Sequence, residues 1–130
     1  MLLEQGADIN KARDDGCTPL FMASQEGHVE VVRVLVDREA DINKDENDGA
    51  TPLYIASQSG HMDVVSMLLE HGADIEKHPR AYTATPLLIA SYMGHEEVVR
   101  ALLKQGADHN RVFFNGSGPL FLASQQGHVE

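Results

Sequence analysis

The chain has 130 residues, and its 20 acidic and 10 basic side chains give a formal net charge of −10. Such an acidic chain repels the phosphate backbone that supplies most nucleic-acid affinity, so we expect no DNA or RNA partner. A single cysteine, Cys17, excludes an internal disulfide and favours a reducing intracellular compartment, cytoplasmic or nuclear. Because the sequence has no apolar run of about 18 residues and no signal-peptide pattern, we expect no membrane contact from this segment.

A short motif that begins with Thr18-Pro19-Leu20 recurs along the chain. Its later copies, at spacings of 33, 34 and 33 residues, are Thr51-Pro52-Leu53, Thr85-Pro86-Leu87 and the altered Gly118-Pro119-Leu120. A Gly-His pair recurs in the same frame, as Gly27-His28, Gly60-His61, Gly94-His95 and Gly127-His128. A period of this length indicates a small supersecondary unit that cannot bury its own apolar face and must stack on its neighbours.

These motifs divide the chain into tandem units. Complete repeats are expected at residues 15–47, 48–81 and 82–114. A partial repeat at 1–14 would hold the end of a second helix and a finger, by which we mean the connecting segment that projects between repeats. Another partial repeat, at 115–130, would hold a finger and a first helix. We therefore expect both ends to be cut from a longer array.

Each unit is predicted to contain two short helices. Thr18 can cap the first helix with its hydroxyl, and Pro19 suits the first helical position. Gly27 can end that helix by adopting a left-handed conformation. Apolar residues at helical spacing predict the second helix at about Val29–Asp37. Because helices this short are marginal in isolation, packing between repeats must hold them.

The Thr-Pro-Leu and Gly-His motifs, a Val-Val-x-x-Leu run and a Gly-Ala-Asp tripeptide share one frame and resemble the ankyrin repeat family. The resemblance implies an all-α solenoid of stacked helix-turn-helix pairs, with β-hairpin or loop fingers at roughly right angles to the helices. Fingers and first helices would then line a concave face. The family uses this face to bind partner proteins, which implies a non-catalytic interaction module.

Departures from the family pattern predict local differences. The family's histidine after Thr-Pro-Leu is replaced, and we expect apolar packing instead, at Phe21, Tyr54, Leu88 and Phe121. Glu39 stands where Gly72 and Gly106 close their helices, which predicts a strained left-handed residue. One extra residue within 78–82, and Thr83 in place of a finger glycine, predict a third finger of different shape.

The seven histidines raise the question of a metal site, but a structural role fits the recurring ones better. Successive Gly-His histidines would lie about 10 Å apart by the spacing of packed helices, whereas zinc needs ligands about 2 Å from one ion. Asp45, Glu46 and Asp48 lack the spacing of a calcium loop, so solvated fingertips are favoured over a cation site. Cys17 has no basic partner in its repeat, and catalytic motifs are missing. We therefore expect no metal, no cofactor and no enzymatic activity.

Positions that vary within the fixed frame are the candidates for partner contacts. In the ankyrin family the fingers and the exposed face of the first helix carry partner contacts, and the resemblance implies that these are here Asp14, Asp15, Gln25, Glu26, Asp45, Asn47, Asp48, Gln58, Arg80, Tyr82, Tyr92, Met93, Val112, Phe114 and Gln125. Along this series the face changes from acidic to aromatic, which predicts an unidentified protein partner with basic and apolar contact residues. Alternatively, the aromatic residues pack against the adjacent finger or against the missing half of the next repeat. The alternative function is a structural spacer or regulatory arm of a larger protein whose activity lies in another domain.

Overall fold

The computed structural model describes residues 9–81 and 84–108, which form six α-helices and no β-strand. The helices are α1 (Pro19–Glu26), α2 (Val29–Asp37), α3 (Pro52–Ser59), α4 (Met62–Glu70), α5 (Pro86–Met93) and α6 (Glu96–Lys104). They form helix pairs that stack side by side, so the predicted all-α solenoid is confirmed. No helix in this part of the chain has both the length and the apolar character needed to cross a membrane.

The first helix of each pair begins at a threonine and ends at a glycine, as predicted. The hydroxyl of Thr18 accepts a hydrogen bond from the backbone N–H of Phe21 at 3.2 Å, and proline follows at the first helical position. Thr51 and Thr85 cap α3 and α5 in the same way. Gly27 ends α1 with φ +74°, a conformation that glycine adopts without steric cost. Local chemistry therefore sets both limits of these helices.

The second helices end two residues before the predicted glycine positions, because the C-cap residues are His71 and Gln105 and not the glycines themselves. Gly72 has φ +90° and Gly106 has φ +94°, and each follows the last capping residue of its helix. Glu39 holds the equivalent place after α2 with φ +64°, and among the described residues no other non-glycine has positive φ. The predicted strained residue is confirmed, and it closes α2 because the N–H of Ala40 donates to the carbonyl of Leu35.

The main core lies between the two helices of each pair and between neighbouring pairs. First helices pack on first helices and second helices on second helices. Aliphatic side chains fill the space between them, and the most fully buried include Leu20, Val32, Leu35, Leu53, Val64, Leu68, Leu87, Val98 and Leu102. Each repeat thus supplies half of an interface that only the next repeat completes.

A second apolar layer lies where the fingers meet the first helices. It contains Cys17, Phe21, Ala50, Tyr54, Ile55, Ala84, Leu88 and Ile89. Phe21, Tyr54 and Leu88 are all buried here, which confirms the expected apolar packing at the position where the resembled family carries histidine. Phe121, the fourth residue of this series, lies outside the described residues.

The fingers lie between helix pairs, the first within residues 9–18, the second within 38–51 and the described part of the third within 71–81. Each contains a tight turn, and hydrogen bonds connect each finger to the next. In the second finger the N–H of Glu46 donates to the carbonyl of Ala50, and the N–H of Gly49 donates to the carbonyl of Glu46. Between fingers, the N–H of Asn47 donates to the carbonyl of Asp15 at 3.0 Å. The N–H of Arg80 donates to the carbonyl of Asp48 at 2.8 Å in the same register. The predicted change of shape concerns residues 78–83, of which Tyr82 and Thr83 lie outside the described residues.

Candidate partner-binding face

Three consecutive fingers and the first helices α1 and α3 enclose one open cavity of about 480 Å³, which we call the concave groove. Finger residues lining it are Arg13, Asp15, Cys17, Glu46, Asp48, Ala50, Pro79 and Ala81, and helix residues lining it are Phe21, Gln25, Tyr54, Ile55 and Gln58. The side chains nearest the helices are mostly apolar, whereas the fingers bring four charged groups. The groove therefore offers an apolar floor beside a charged edge.

On the first finger, Arg13 and Asp15 neutralise each other. The guanidinium of Arg13 donates to both carboxylate oxygens of Asp15, and the backbone N–H of Cys17 donates to Oδ1 of Asp15 at 3.0 Å. These hydrogen bonds, the Arg13 bond foremost, hold the pKa of Asp15 far below its usual range. The same bond raises the pKa of Arg13. The carboxylate of Asp15 is thus already satisfied within its own finger.

The thiol of Cys17 is protonated at neutral pH. Burial in the floor of the groove raises the pKa of Cys17 to about 11, and its neighbour Asp15 adds to the effect. A thiol held in this form is a poor nucleophile, since the thiolate is the reactive species. The geometry therefore favours the sequence-based interpretation of Cys17 as an inert thiol.

On the second finger, the groove residues Glu46 and Asp48 differ in the hydrogen-bond partners of their carboxylates. Oε1 of Glu46 accepts a hydrogen bond from the N–H of Ala50 at 2.8 Å, which uses part of its acceptor capacity. The side chain of Asp48 is exposed and has no hydrogen-bond or ion-pair partner within residues 9–81 and 84–108. The unsatisfied negative charge of the groove is therefore concentrated at the second finger.

Profile models of two related families match the sequence. One describes ankyrin repeats in three copies and matches residues 1–79, and the other describes ankyrin repeats in many copies and matches residues 56–103 and 87–130. The chain belongs to the ankyrin repeat family. No curated protein matches it significantly. Ankyrin repeats are generally protein–protein interaction modules and are typically non-catalytic.

Two recurring histidines of this ankyrin chain connect neighbouring repeats. Nε2 of His61 lies 3.0 Å from the carbonyl oxygen of Gln25, and Nε2 of His95 lies 2.9 Å from that of Gln58. Because a carbonyl oxygen only accepts, Nε2 must carry the proton in each ring. The predicted structural role of these two histidines is confirmed. Within the described residues there is also no group of three or more His, Cys, Asp or Glu that could hold a metal ion.

The ankyrin fold brings four of the predicted contact residues into the groove: Asp15, Gln25, Asp48 and Gln58. Asp14, Glu26 and Asn47 are exposed close to it, and Asn47 also donates from Nδ2 to the carbonyl of Asp14 at 2.9 Å. Tyr92 and Met93 are 42% and 43% exposed at the end of α5, in the next repeat. Tyr82, Val112, Phe114 and Gln125 lie outside the described residues.

Asp45 and Arg80 bind each other between the second and third fingers. Nη2 of Arg80 lies 3.2 Å from Oδ2 of Asp45, and Nζ of Lys77 lies 3.8 Å from the same oxygen. Asp45 is consequently only 22% exposed. These two predicted contact residues therefore hold neighbouring fingers together.

Sequence reasoning missed the floor of the groove. Phe21, Tyr54 and Ile55 line it, yet they were interpreted only as packing residues or not singled out. A signal was present, because the family's histidine position is aromatic in two successive repeats. Arg13 and Glu46 were also missed, since finger residues are too variable for the repeat frame to show which of them point inward.

Proposed function

We propose that the chain is a non-catalytic protein–protein interaction module that binds a partner protein on the concave face formed by the fingers and first helices. The observation that carries this proposal is the concave groove, where acidic finger residues and apolar helix residues line one open cavity of about 480 Å³. Pockets that hold small molecules typically measure about 300–1,000 Å³, with an apolar lining and a few placed polar groups. A groove of this size suits a few side chains of a partner.

The residues along this face suit a partner that carries both basic and apolar side chains. Exposed carboxylates at the fingers would attract a basic partner and steer its approach. Farther along the same face, Tyr92 and Met93 expose apolar surface at adjacent positions. Aromatic side chains and methionine are enriched in the cores of interfaces, so this pair suits an apolar contact.

The opposite surface, formed by α2, α4 and α6, offers less to a partner. Charged side chains there pair within their own helix, as in Arg33 with Glu30 at 3.5 Å and Arg100 with Glu96 at 3.8 Å. Its exposed large apolar residues, Val34 and Leu103, lie on different helices. Single exposed apolar residues are common on ordinary protein surfaces.

Site-specific photo-crosslinking tests the proposal. A photoreactive phenylalanine analogue is placed at Gln58 in the groove or, as the matched control, at Glu70 on the exposed end of α4. Each variant is expressed in cells that make the protein and is irradiated there. We expect a discrete crosslinked partner from position 58 and none of that mass from position 70.

Two results would contradict the proposal. Crosslinks at position 70 with none at 58 would place the interface on the second helices. Crosslinks at neither position would favour the alternative in which the array serves as a spacer or regulatory arm. Circular dichroism of each variant would establish that the fold survives the substitution.

A further inference from the structure

The acidic residues of the fingers are not equivalent as binding groups. Asp15 is paired with Arg13, and Asp45 is paired with Arg80 and Lys77. Two carboxylates that were predicted to attract a partner therefore already have cations of their own. An incoming basic side chain would have to displace those cations, so it gains little from Asp15 or Asp45.

Asp48 remains available. Its exposed carboxylate has no partner in the part of the chain that the structure describes, and it lines the concave groove beside Glu46. Glu46 uses Oε1 to accept from Ala50, which leaves its second oxygen for another donor. The second finger thus presents acceptor oxygens at the edge of an apolar floor that includes Tyr54 and Ile55.

The third finger lacks this charge. Since Asn47 donates to Asp15 and Arg80 donates to Asp48 in the same register, the third-finger counterparts of Glu46 and Asp48 are Pro79 and Ala81. Both line the groove and neither is charged. Toward the third repeat the face instead continues to the exposed Tyr92. The face therefore has a direction, from an acidic end at the second finger to an apolar end at α5.

We propose that the partner places one lysine or arginine side chain against Asp48 and Glu46, with its aliphatic stem beside Ile55 and Gln58, and an apolar side chain one repeat farther along, near Tyr92. This inference rests on the proposed function and specifies the partner's chemistry. Neighbouring helices lie about 10 Å apart, and an extended chain rises about 3.3 Å per residue. The partner segment therefore carries its basic and apolar residues about three positions apart.

A peptide selection on the whole chain tests this pattern. Random peptides of about twelve residues, long enough to cover about 40 Å when extended, are displayed on phage and selected on the immobilised protein. We expect enriched sequences to share one lysine or arginine with an aromatic or aliphatic residue about three positions away. One enriched peptide is then synthesised, and a second version carries glutamine in place of the basic residue.

The two peptides are measured by calorimetry on matched charge variants. Asp48→Ser removes the proposed acceptor, and Asp63→Ser removes an exposed carboxylate on α4, away from the groove. An exposed ion pair contributes up to about fivefold in affinity, so we expect a loss of about two- to fivefold for Asp48→Ser and a smaller loss for Asp63→Ser. The loss from Asp48→Ser should vanish with the glutamine peptide.

The outcomes separate this inference from the proposed function. In one outcome, peptide binding changes the amide chemical shifts of the fingers and first helices while Asp48→Ser and Asp63→Ser bind the peptide equally well. That combination would overturn the cation site and leave the concave face supported. Enriched peptides without a basic residue would do the same. Shift changes confined to α2, α4 and α6, or no enriched peptide at all, would overturn both.

Discussion

Nε2 of His95 donates to the carbonyl oxygen of Gln58 in the preceding repeat, across 2.9 Å, and its ring lies directly over Gly60. The same arrangement joins His61 to Gln25 and Gly27 one repeat earlier. The recurring Gly-His motif therefore acts between repeats, because the glycine of one repeat leaves space for the histidine ring of the next.

Gly60→Ala should destabilise the protein more than Gly72→Ala. Both glycines have positive φ, which costs alanine about 1 kcal/mol. A Cβ at Gly60 would also lie 2.6 Å from the ring of His95, whereas one at Gly72 has nothing within 4 Å. We expect a loss of about 1 kcal/mol for Gly72→Ala and about 2–4 kcal/mol for Gly60→Ala, measured by urea unfolding. Equal losses would show that the histidine ring moves aside at no cost.

Replacing Glu39 by glycine should stabilise the protein. Glu39 is held at φ +64°, where a side chain is disfavoured and glycine is not. We expect a gain of about 0.5–1 kcal/mol from Glu39→Gly in thermal denaturation. Arg38→Gly is the matched control, since Arg38 has φ −97° and glycine gains nothing there. A gain from Arg38→Gly as large as that from Glu39→Gly would rule out backbone strain as the cause.

Ser57→Ala should also stabilise the protein. The hydroxyl of Ser57 is fully buried and has no hydrogen-bond partner, as also holds for Ser24 and Ser91 in the same register. A buried unsatisfied polar group costs about 1–3 kcal/mol. We expect a gain of about 1 kcal/mol by chemical denaturation, part of it from the better helix propensity of alanine. Ser59→Ala, at an exposed position of the same helix, measures that second contribution alone.

Alkylation of Cys17 should be slow at neutral pH, and its rate should keep rising to a higher pH in the folded chain than in the unfolded chain. Its pKa is raised from 9.0 to about 11, first by burial and then by Asp15. A shift of this size lowers the thiolate fraction near neutral pH by about 100-fold. The iodoacetamide rate of the folded chain should keep rising up to about pH 11, whereas that of the urea-unfolded chain should level off near 9. Coinciding pH profiles of the folded and unfolded chains would contradict this account.

Much of the fold could be predicted from the sequence, because the signals are local and recur. Thr18 caps α1 through a residue three positions away, and Gly27 ends the same helix by its own backbone conformation. Even the strain at Glu39 followed from comparing one position across repeats. In each case the groups that interact are close in sequence, so the sequence pattern was enough to predict the contact that the structure has.

The candidate site was predicted only in part. The resemblance to the ankyrin family indicated the fingers and first helices as the contact face, and two residues predicted there, Asp48 and Gln58, line the groove. The same reasoning treated Asp45 as one more exposed acid. Its pairing with Arg80 joins residues 35 positions apart and requires two fingers to be stacked in register.

Local chemistry is thus sufficient for the repeat unit, its caps and its helix limits, since those depend on groups within a few residues of one another. Which carboxylates stay available to a partner depends instead on contacts between one repeat and the next. The carboxylate of Asp45 pairs with Arg80 across the finger boundary, whereas at Asp48 only the backbone carbonyl accepts a hydrogen bond there, from the N–H of Arg80. Both are acidic residues of one finger, so only the stacking of neighbouring repeats distinguishes them.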